Sequence, residues 1–261
     1  MGLLLALGLL AALLALSDVL YRRAAAAAPA FPFDACRKVW AHRGHAASGG
    51  ENSLHSVQAA FDRGAAGVEI DILFDAALGD FLVSHDRPYA LFDGQPLKLD
   101  TLLARHADRG FFWLDAKDLR RLSPWRARQA TERLAALLQR HGLTGRALVE
   151  SSHAPYLAWL AGRGVHTSYA LSPNERKHSA PLHALHLSIM KLGYAWVGSG
   201  AISMTADRYT PGTAAAFGQV PVLLSTVNDA TTSKRLSAIP AVKVILSDRD
   251  DYAVSACVAD P

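Results

Sequence analysis

Two apolar stretches of this chain carry charges at alternate positions. In Gly-Val-Glu-Ile-Asp-Ile-Leu (67–73) the side chains of an extended strand alternate, so Glu69 and Asp71 share one face and Val68, Ile70 and Ile72 the other. Phe-Phe-Trp-Leu-Asp-Ala-Lys (111–117) repeats the pattern, with Asp115 and Lys117 on one face and Phe112, Leu114 and Ala116 on the other. With the apolar faces against helices, three carboxylates point into one interior, where they repel unless a cation joins them. One hard divalent ion, Ca²⁺ or Mg²⁺, held by Glu69, Asp71 and Asp115 answers that repulsion. The alternative is a set of buried ion pairs with Arg43 and Lys117.

His-Arg-Gly (42–44) and Ser-His-Asp (84–86) put His42 and His85 at the ends of two further apolar runs. A pair of imidazoles, which titrate near neutral pH, can supply the base and the acid of one displacement. Arg43 and Lys117 add positive charge where a phosphoryl group gains negative charge during reaction. The other histidines read as surface or packing residues.

Strands are expected at 38–42, 67–73, 81–85, 111–117, 146–151, 165–169, 200–204, 220–226 and 242–247. Helical patterns lie at 54–63, 97–106, 124–141, 155–161, 181–192, 210–217, 230–238 and 249–256. Only 75–80 separates the second strand from the third, too little for a crossover, so the third returns antiparallel as a hairpin. Eight βα units remain, and the expected fold is an α/β (β/α)₈ TIM barrel with a β-hairpin extension after the second strand. An open doubly wound sheet needs a glycine-rich phosphate loop after its first strand, and Gly-Gly (49–50) is a poor version of one.

The composition, 51% hydrophobic and 19% charged over 261 residues, excludes a disordered or low-complexity chain. A net charge of +4 with no basic run argues against a nucleic-acid partner. Residues 3–16 are only Leu, Ala and Gly, right for the apolar region of an export signal and short for a membrane span of about 20 residues. The expected organisation is a signal peptide or membrane anchor at 1–23, a linker at 24–33 and the barrel at 34–261. Arg22 and Arg23 follow the apolar run, which alone would keep the domain inside. Against this, Cys36 and Cys257 flank the barrel, whose ends meet, and a disulfide between them favours an oxidising compartment. The expectation leans outward: a membrane-associated or exported protein whose catalytic domain lies outside the cytoplasm, in the periplasm.

Ala-His-Arg-Gly (41–44), Glu-Asn-Ser (51–53), Gly-Ala-Ala-Gly-Val-Glu-Ile-Asp-Ile (64–72), Leu-Val-Ser-His-Asp (82–86) and Leu-Asp-Ala-Lys (114–117) together resemble the glycerophosphodiester phosphodiesterase family in order and spacing. Val-Glu-Ser (149–151), Ser-Thr-Val-Asn (225–228) and Val-Ile-Leu-Ser-Asp (244–248) are fainter counterparts of its later strand-end motifs. The resemblance implies a (β/α)₈ barrel that binds one divalent cation and hydrolyses a phosphodiester to a phosphomonoester and an alcohol. It implies His42 and His85 as the acid/base pair, Glu69, Asp71 and Asp115 as metal ligands, Arg43 and Lys117 as phosphate contacts, and Glu51 and Asn52 as supporting residues.

Four departures bear on the substrate. Asp115 stands where the family commonly has Glu, Gly50 where it has Pro, Ser53 where it has Thr, and Ser225 where it has Trp. An Asp as third ligand is similar to the lysophospholipase D and sphingomyelinase D barrels, which keeps headgroup cleavage from a lysolipid as an alternative. A non-catalytic barrel that binds phospholipid headgroups is the other. The short 86–110 segment lacks the insertion common in the family, and an open mouth beside an apolar N-terminus points to a small-molecule diester or a lysolipid, with the membrane as partner. Trp196 and Tyr194 are expected at that mouth, and Trp40, Trp113, Trp125 and Trp159 in the core.

Overall fold

Runs rich in β-branched and aromatic residues become strands, and runs between them become helices, in alternation except where β2 to β5 follow one another. The structure is a computed structural model and describes residues 2–33, 36–48 and 50–253. Its strands are β1 (Val39–Ala41), β2 (Gly67–Asp75), β3 (Asp80–Val83), β4 (Leu91–Phe92), β5 (Gln95–Pro96), β6 (Phe111–Ala116), β7 (Ala147–Ser151), β8 (His166–Ala170), β9 (Ala201–Thr205), β10 (Val222–Ser225) and β11 (Val242–Ser247). Its helices are α1 (Gly2–Ala27), α2 (Leu54–Asp62), α3 (Leu99–His106), α4 (Pro124–Arg140), α5 (Ala154–Ala161), α6 (Ala180–Val197), α7 (Pro211–Phe217) and α8 (Ala230–Ser237).

Eight parallel strands close in the order β1-β2-β6-β7-β8-β9-β10-β11, the TIM barrel expected from the sequence. The closure is uneven. Six residue pairs join β2 to β6, whereas β1 meets β2 at one pair only, Ala41 with Val68. β3 runs antiparallel to β2 from Asp75–Asp80 to Ile72–Val83, confirming the hairpin. The short β4–β5 ribbon was not legible in the sequence.

The barrel interior is filled by Trp40, Trp113, Leu148, Leu223, Val244 and Leu246. A Cβ on Gly67 would stand 2.5 Å from the Trp40 ring, so glycine is required where the strand passes the indole. Outside the strands, Val68, Ile70, Ile72, Phe112 and Leu114 pack on Leu102, Leu103, Leu134, Leu137 and Leu138 of α3 and α4. The alternation read from 67–73 and 111–117 thus divides the two layers as expected. Trp125, expected in the core, is 70% exposed, because α4 turns its first residues outward, and Trp159 is partly exposed.

α1 packs along α6. Tyr21 is fully buried, stacks edge-on against Tyr194 and Phe217, and donates to the Phe217 carbonyl at 3.1 Å. Lys191 donates to Asp18 at 2.8 Å. Tyr194 is therefore a packing residue and does not line the mouth, and Trp196, 69% exposed, lies at the far end of α6 from it. Residues 24–33, expected as a linker, carry packed side chains: Ala24 and Ala25 touch the core, and the Phe33 ring lies 5.2 Å from Trp40 and 5.0 Å from Phe111. Among the described residues no helix is long and apolar enough to cross a membrane. Cys257, with the pairing expected for it, lies outside the described residues, as does most of the helix expected at 249–256.

Candidate active site

β2 and β6 run side by side with Asp71 opposite Asp115, and Glu69 lies two residues below on the same face. One carboxylate oxygen from each of the three lies within 4.8 Å of the others. Glu69 and Asp71 are almost wholly buried. Burial pushes the Glu69 carboxyl well above its ordinary range, and the charges of Asp71 and Asp115 push it the same way. Burial also raises Asp115, against the pull of Lys117. Asp71 Oδ1 is buried without a well-formed hydrogen bond, its nearest cation being Lys117 Nζ at 3.0 Å. An under-neutralised all-oxygen cluster of this size fits a hard divalent cation better than it fits ion pairs alone.

The cations sit around that cluster. Arg43 Nε is 3.1 Å from Asp71 Oδ2, Arg43 Nη1 donates to Glu51 at 2.9 Å, and the Arg43 backbone N–H donates to Glu69 Oε2 at 3.0 Å. Lys117 bridges Asp71 and Asp115. Burial opposes its charge, and the carboxylates of Asp115 and Asp71 outweigh the burial and raise its pKa. Asn52 grips Asp71 from both sides, its Nδ2 donating to Oδ2 at 2.8 Å and its Oδ1 accepting from the Asp71 N–H at 3.0 Å. Arg43 and Asn52 both have left-handed backbone, with φ of 54° and 53°. Two such non-glycine residues in contact with one carboxylate mark strain held at the site. Ser53 then caps α2 in a reciprocal pair with Ser56, which fixes the Glu51–Asn52 turn.

The two histidines enter from different elements. His42 follows β1; its Nε2 lies 3.8 Å from Glu69 Oε2 and its Nδ1 lies 2.7 Å from Asp248 Oδ1. His85 follows β3 and pairs through Nδ1 with Asp86 at 2.6 Å. With Asp115 and Lys117 it lines a cavity of about 450 Å³ at the C-terminal ends of the strands. All nine residues singled out in the sequence are gathered at this end of the barrel.

Three further residues belong to the site; they lie in the fainter strand-end motifs at 149–151, 225–228 and 244–248, without an individual role assigned there. Asp248 directly follows β11, and Asn228 donates to its Oδ2 at 2.6 Å while accepting its backbone N–H at 2.8 Å. Burial disfavours the Asp248 charge, but the hydrogen bonds from Asn228 and His42 prevail and hold the carboxyl below the usual range. Glu150 on β7 stands in register with Asp115 and lines the same cavity. Its Oε2 is buried without a partner, and burial together with the Asp115 charge pushes its pKa up to about 8. The alternation of Leu148 and Glu150 in 147–151 carries the signal that would have found it.

The barrel can be compared with solved structures. A glycerophosphodiester phosphodiesterase of Parabacteroides distasonis matches with a TM-score of 0.63 and 20% identity over 81% of this chain and 92% of that one. An Oleispira antarctica phosphodiesterase, in complex with the product sn-glycerol-3-phosphate, matches with a TM-score of 0.62 and 16% identity over 82% and 93%. A glycerophosphodiester phosphodiesterase of Thermotoga maritima gives 0.60 and 16% over 82% and 95%. This chain has their fold. No protein-family model and no curated protein sequence matches it, so the likeness rests on the barrel, with the strand-end residues above as independent support.

Proposed function

We propose that this barrel is a metal-dependent phosphodiesterase of the glycerophosphodiester type, releasing a phosphomonoester and an alcohol. The observation that carries the reading is the carboxylate cluster of Glu69, Asp71 and Asp115 flanked by two imidazoles, each held through Nδ1 by its own acid. Glu69, Asp71 and Asp115 would hold one Ca²⁺ or Mg²⁺. A cation bound there polarises a phosphoryl oxygen and acidifies the attacking hydroxyl.

The chain's own groups do the rest. Asp248 and Asp86 accept from Nδ1 of His42 and His85, which leaves each Nε2 free to exchange a proton at the scissile phosphate. One imidazole takes the proton of the attacking hydroxyl, from water or from the substrate, as its oxygen bonds to phosphorus. The other gives a proton to the alcohol oxygen as its bond to phosphorus breaks, and where a substrate hydroxyl attacks, water then opens the cyclic phosphate to the phosphomonoester. Arg43 and Lys117 face the oxygens on which charge accumulates. Asn52 and Glu51 keep Asp71 and Arg43 in place.

The reading extends to a membrane. α1 and α6 are apolar around their circumference, unlike α3, α4 and α8, and Leu9, Leu16, Val19, Leu182, Ile189 and Trp196 remain exposed on them. Asp18 meets Lys191 and Tyr21 meets Tyr194, so the two helices run parallel. α6 starts at the catalytic end of the barrel, and α1 begins sixteen residues before Asp18 against eleven for α6 before Lys191. At 1.5 Å per residue α1 reaches roughly 7 Å further, on the side of the active-site mouth. Such a face suits a lipid surface, favours a lysolipid or lipid-derived diester, and accords with an exported domain in the periplasm.

A lysophospholipase D-like cleavage is the second reading, favoured by Asp115 as the third acid. The experiment is phosphomonoester release from glycerophosphodiesters and lysophospholipids by the full chain, with EDTA or with added Mg²⁺ or Ca²⁺, beside His42→Ala and Asp115→Ala. Turnover that requires the cation and both residues supports the phosphodiesterase, and the identity of the product separates the two cleavages. A folded chain that binds the cation and turns over no diester is a headgroup-binding barrel instead.

A further inference from the structure

Most charges lining the active-site cavity are already matched. Lys117 is paired with Asp115, His85 with Asp86, and Arg87 with the buried Asp118 at 2.9 Å. Glu150 stands in register with Asp115 and, among the described residues, makes no ion pair. Arg120 and Arg121 are different: both line the cavity, both are exposed, and among the described residues neither side chain has an ion pair or hydrogen bond. They occupy the one-turn helix Leu119–Arg121, directly after the catalytic strand β6. Asp118 pins that turn, its Oδ1 accepting from the Phe74 N–H and its Oδ2 from Arg87, while its carbonyl accepts from the Arg121 N–H at 2.8 Å. The turn that carries the two guanidiniums is thus fixed by a buried anchor, and among the described residues the guanidiniums lack a counter-charge. The lining contains no Trp, Tyr or Phe. Quaternary ammonium groups are recognised over aromatic faces, and this lining offers a choline headgroup none.

We propose that Arg120 and Arg121 form a subsite for a second anionic group, a phosphate or a carboxylate, carried by one of the two groups esterified to the scissile phosphate. The proposal rests on the phosphodiesterase reading and names its substrate class: diesters with an acidic headgroup in preference to choline diesters. Guanidinium forks bind either anion bidentately, and Ser152, which also lines the cavity, adds a hydroxyl.

The test uses the full chain with Mg²⁺ and compares glycerophosphoserine, glycerophosphoinositol 4-phosphate and glycerophosphocholine, for the native protein and for Arg120→Ala/Arg121→Ala. The expected result is a KM for the acidic diesters about tenfold below that for the choline diester, a preference lost in the double variant with kcat retained. The serine and inositol phosphate arms tell carboxylate from phosphate. Equal use of the choline diester, or a double variant that keeps the preference, overturns the proposal. A parallel calorimetric titration with phosphoserine and phosphocholine reads the subsite without turnover. If no diester is hydrolysed, the phosphodiesterase reading fails, while about tenfold weaker phosphoserine binding in the double variant still supports the subsite and unchanged binding removes it.

Discussion

Asp248 Oδ1 stands 2.7 Å from Nδ1 of His42, and the other Asp248 oxygen is held by Asn228 at 2.6 Å. This chain fixes both the ring orientation and the proton on Nδ1, so that Nε2 is the nitrogen presented beside Glu69. Asp248→Asn should lower kcat by roughly 10–100-fold with little change in KM. A steady-state comparison with an unchanged melting temperature checks it; a fall in KM-based affinity alone would contradict the positioning role.

Removing the cation should destabilise the protein as well as silence it. Holding Mg²⁺ or Ca²⁺ at a hundred times its dissociation constant contributes about 2.7 kcal/mol. For a chain of this size that raises the melting temperature by roughly 5–10 °C. Melting curves with EDTA and with added cation read it. Asp115→Asn should shrink the shift, since the buried carboxylate is replaced by a neutral amide.

Stability of the metal-free protein should fall as pH rises. Glu150, Glu69 and Asp115 all have raised pKa values in the folded state, so at these three sites the folded chain binds more protons than the unfolded one. The stabilisation is complete below the ordinary carboxylate range and is lost as pH climbs through the folded value, about 8 for Glu150. Burial lowers the pKa of His106, His153, His166 and His186, which acts the opposite way at acid pH, so chemical denaturation in EDTA is compared at pH 7 and pH 9, where the higher pH should give the lower midpoint. Glu150→Gln should flatten that difference.

Gly44 has φ of +72°, and a Cβ there would come within 2.5 Å of Ser56 Oγ and 2.7 Å of the Ser56 backbone carbon. Gly44→Ala should therefore cost about 1–3 kcal/mol and displace the neighbouring His42–Arg43 turn. Denaturation and kcat should suffer together, whereas Gly50→Ala, which meets nothing within 4 Å but shares a positive φ, should affect stability alone.

α1 should behave as part of the barrel. Tyr21→Ala removes a buried ring wedged between Tyr194 and Phe217, at a cost of roughly 3 kcal/mol. Limited proteolysis should leave 17–27 intact in the native chain and cut it in the variant. Equal cutting in both would mean that the helix is undocked in solution.

The carboxylates were readable because strand alternation is a local rule: Glu69, Asp71 and Asp115 needed only their own neighbours in sequence to be placed inward. His42 and His85 were readable from their strand ends. Asp248 and Asn228 fall within strand-end motifs that the resemblance covers, but their role was not legible because it depends on β11 closing against β1, a contact between chain positions 206 residues apart. α1 escaped for a related reason. A run of Leu and Ala has no period that reveals a partner, and what holds it, Tyr194, Lys191 and Phe217, lies far along the chain. Trp125 misled because its size suggests burial, while its place at the first turn of α4 exposes it.

The barrel's weakest seam, the single Ala41–Val68 pair, runs between the strand that carries His42 and the strand that carries Glu69 and Asp71. What crosses that seam most densely is the site itself: the Arg43 N–H on Glu69, the Arg43 guanidinium on Asp71, and His42 beside Glu69. The groups proposed to do the chemistry are therefore also the clasp that shuts the barrel. Loosening them to tune chemistry loosens the ring, and a cation that draws the carboxylates together tightens both at once.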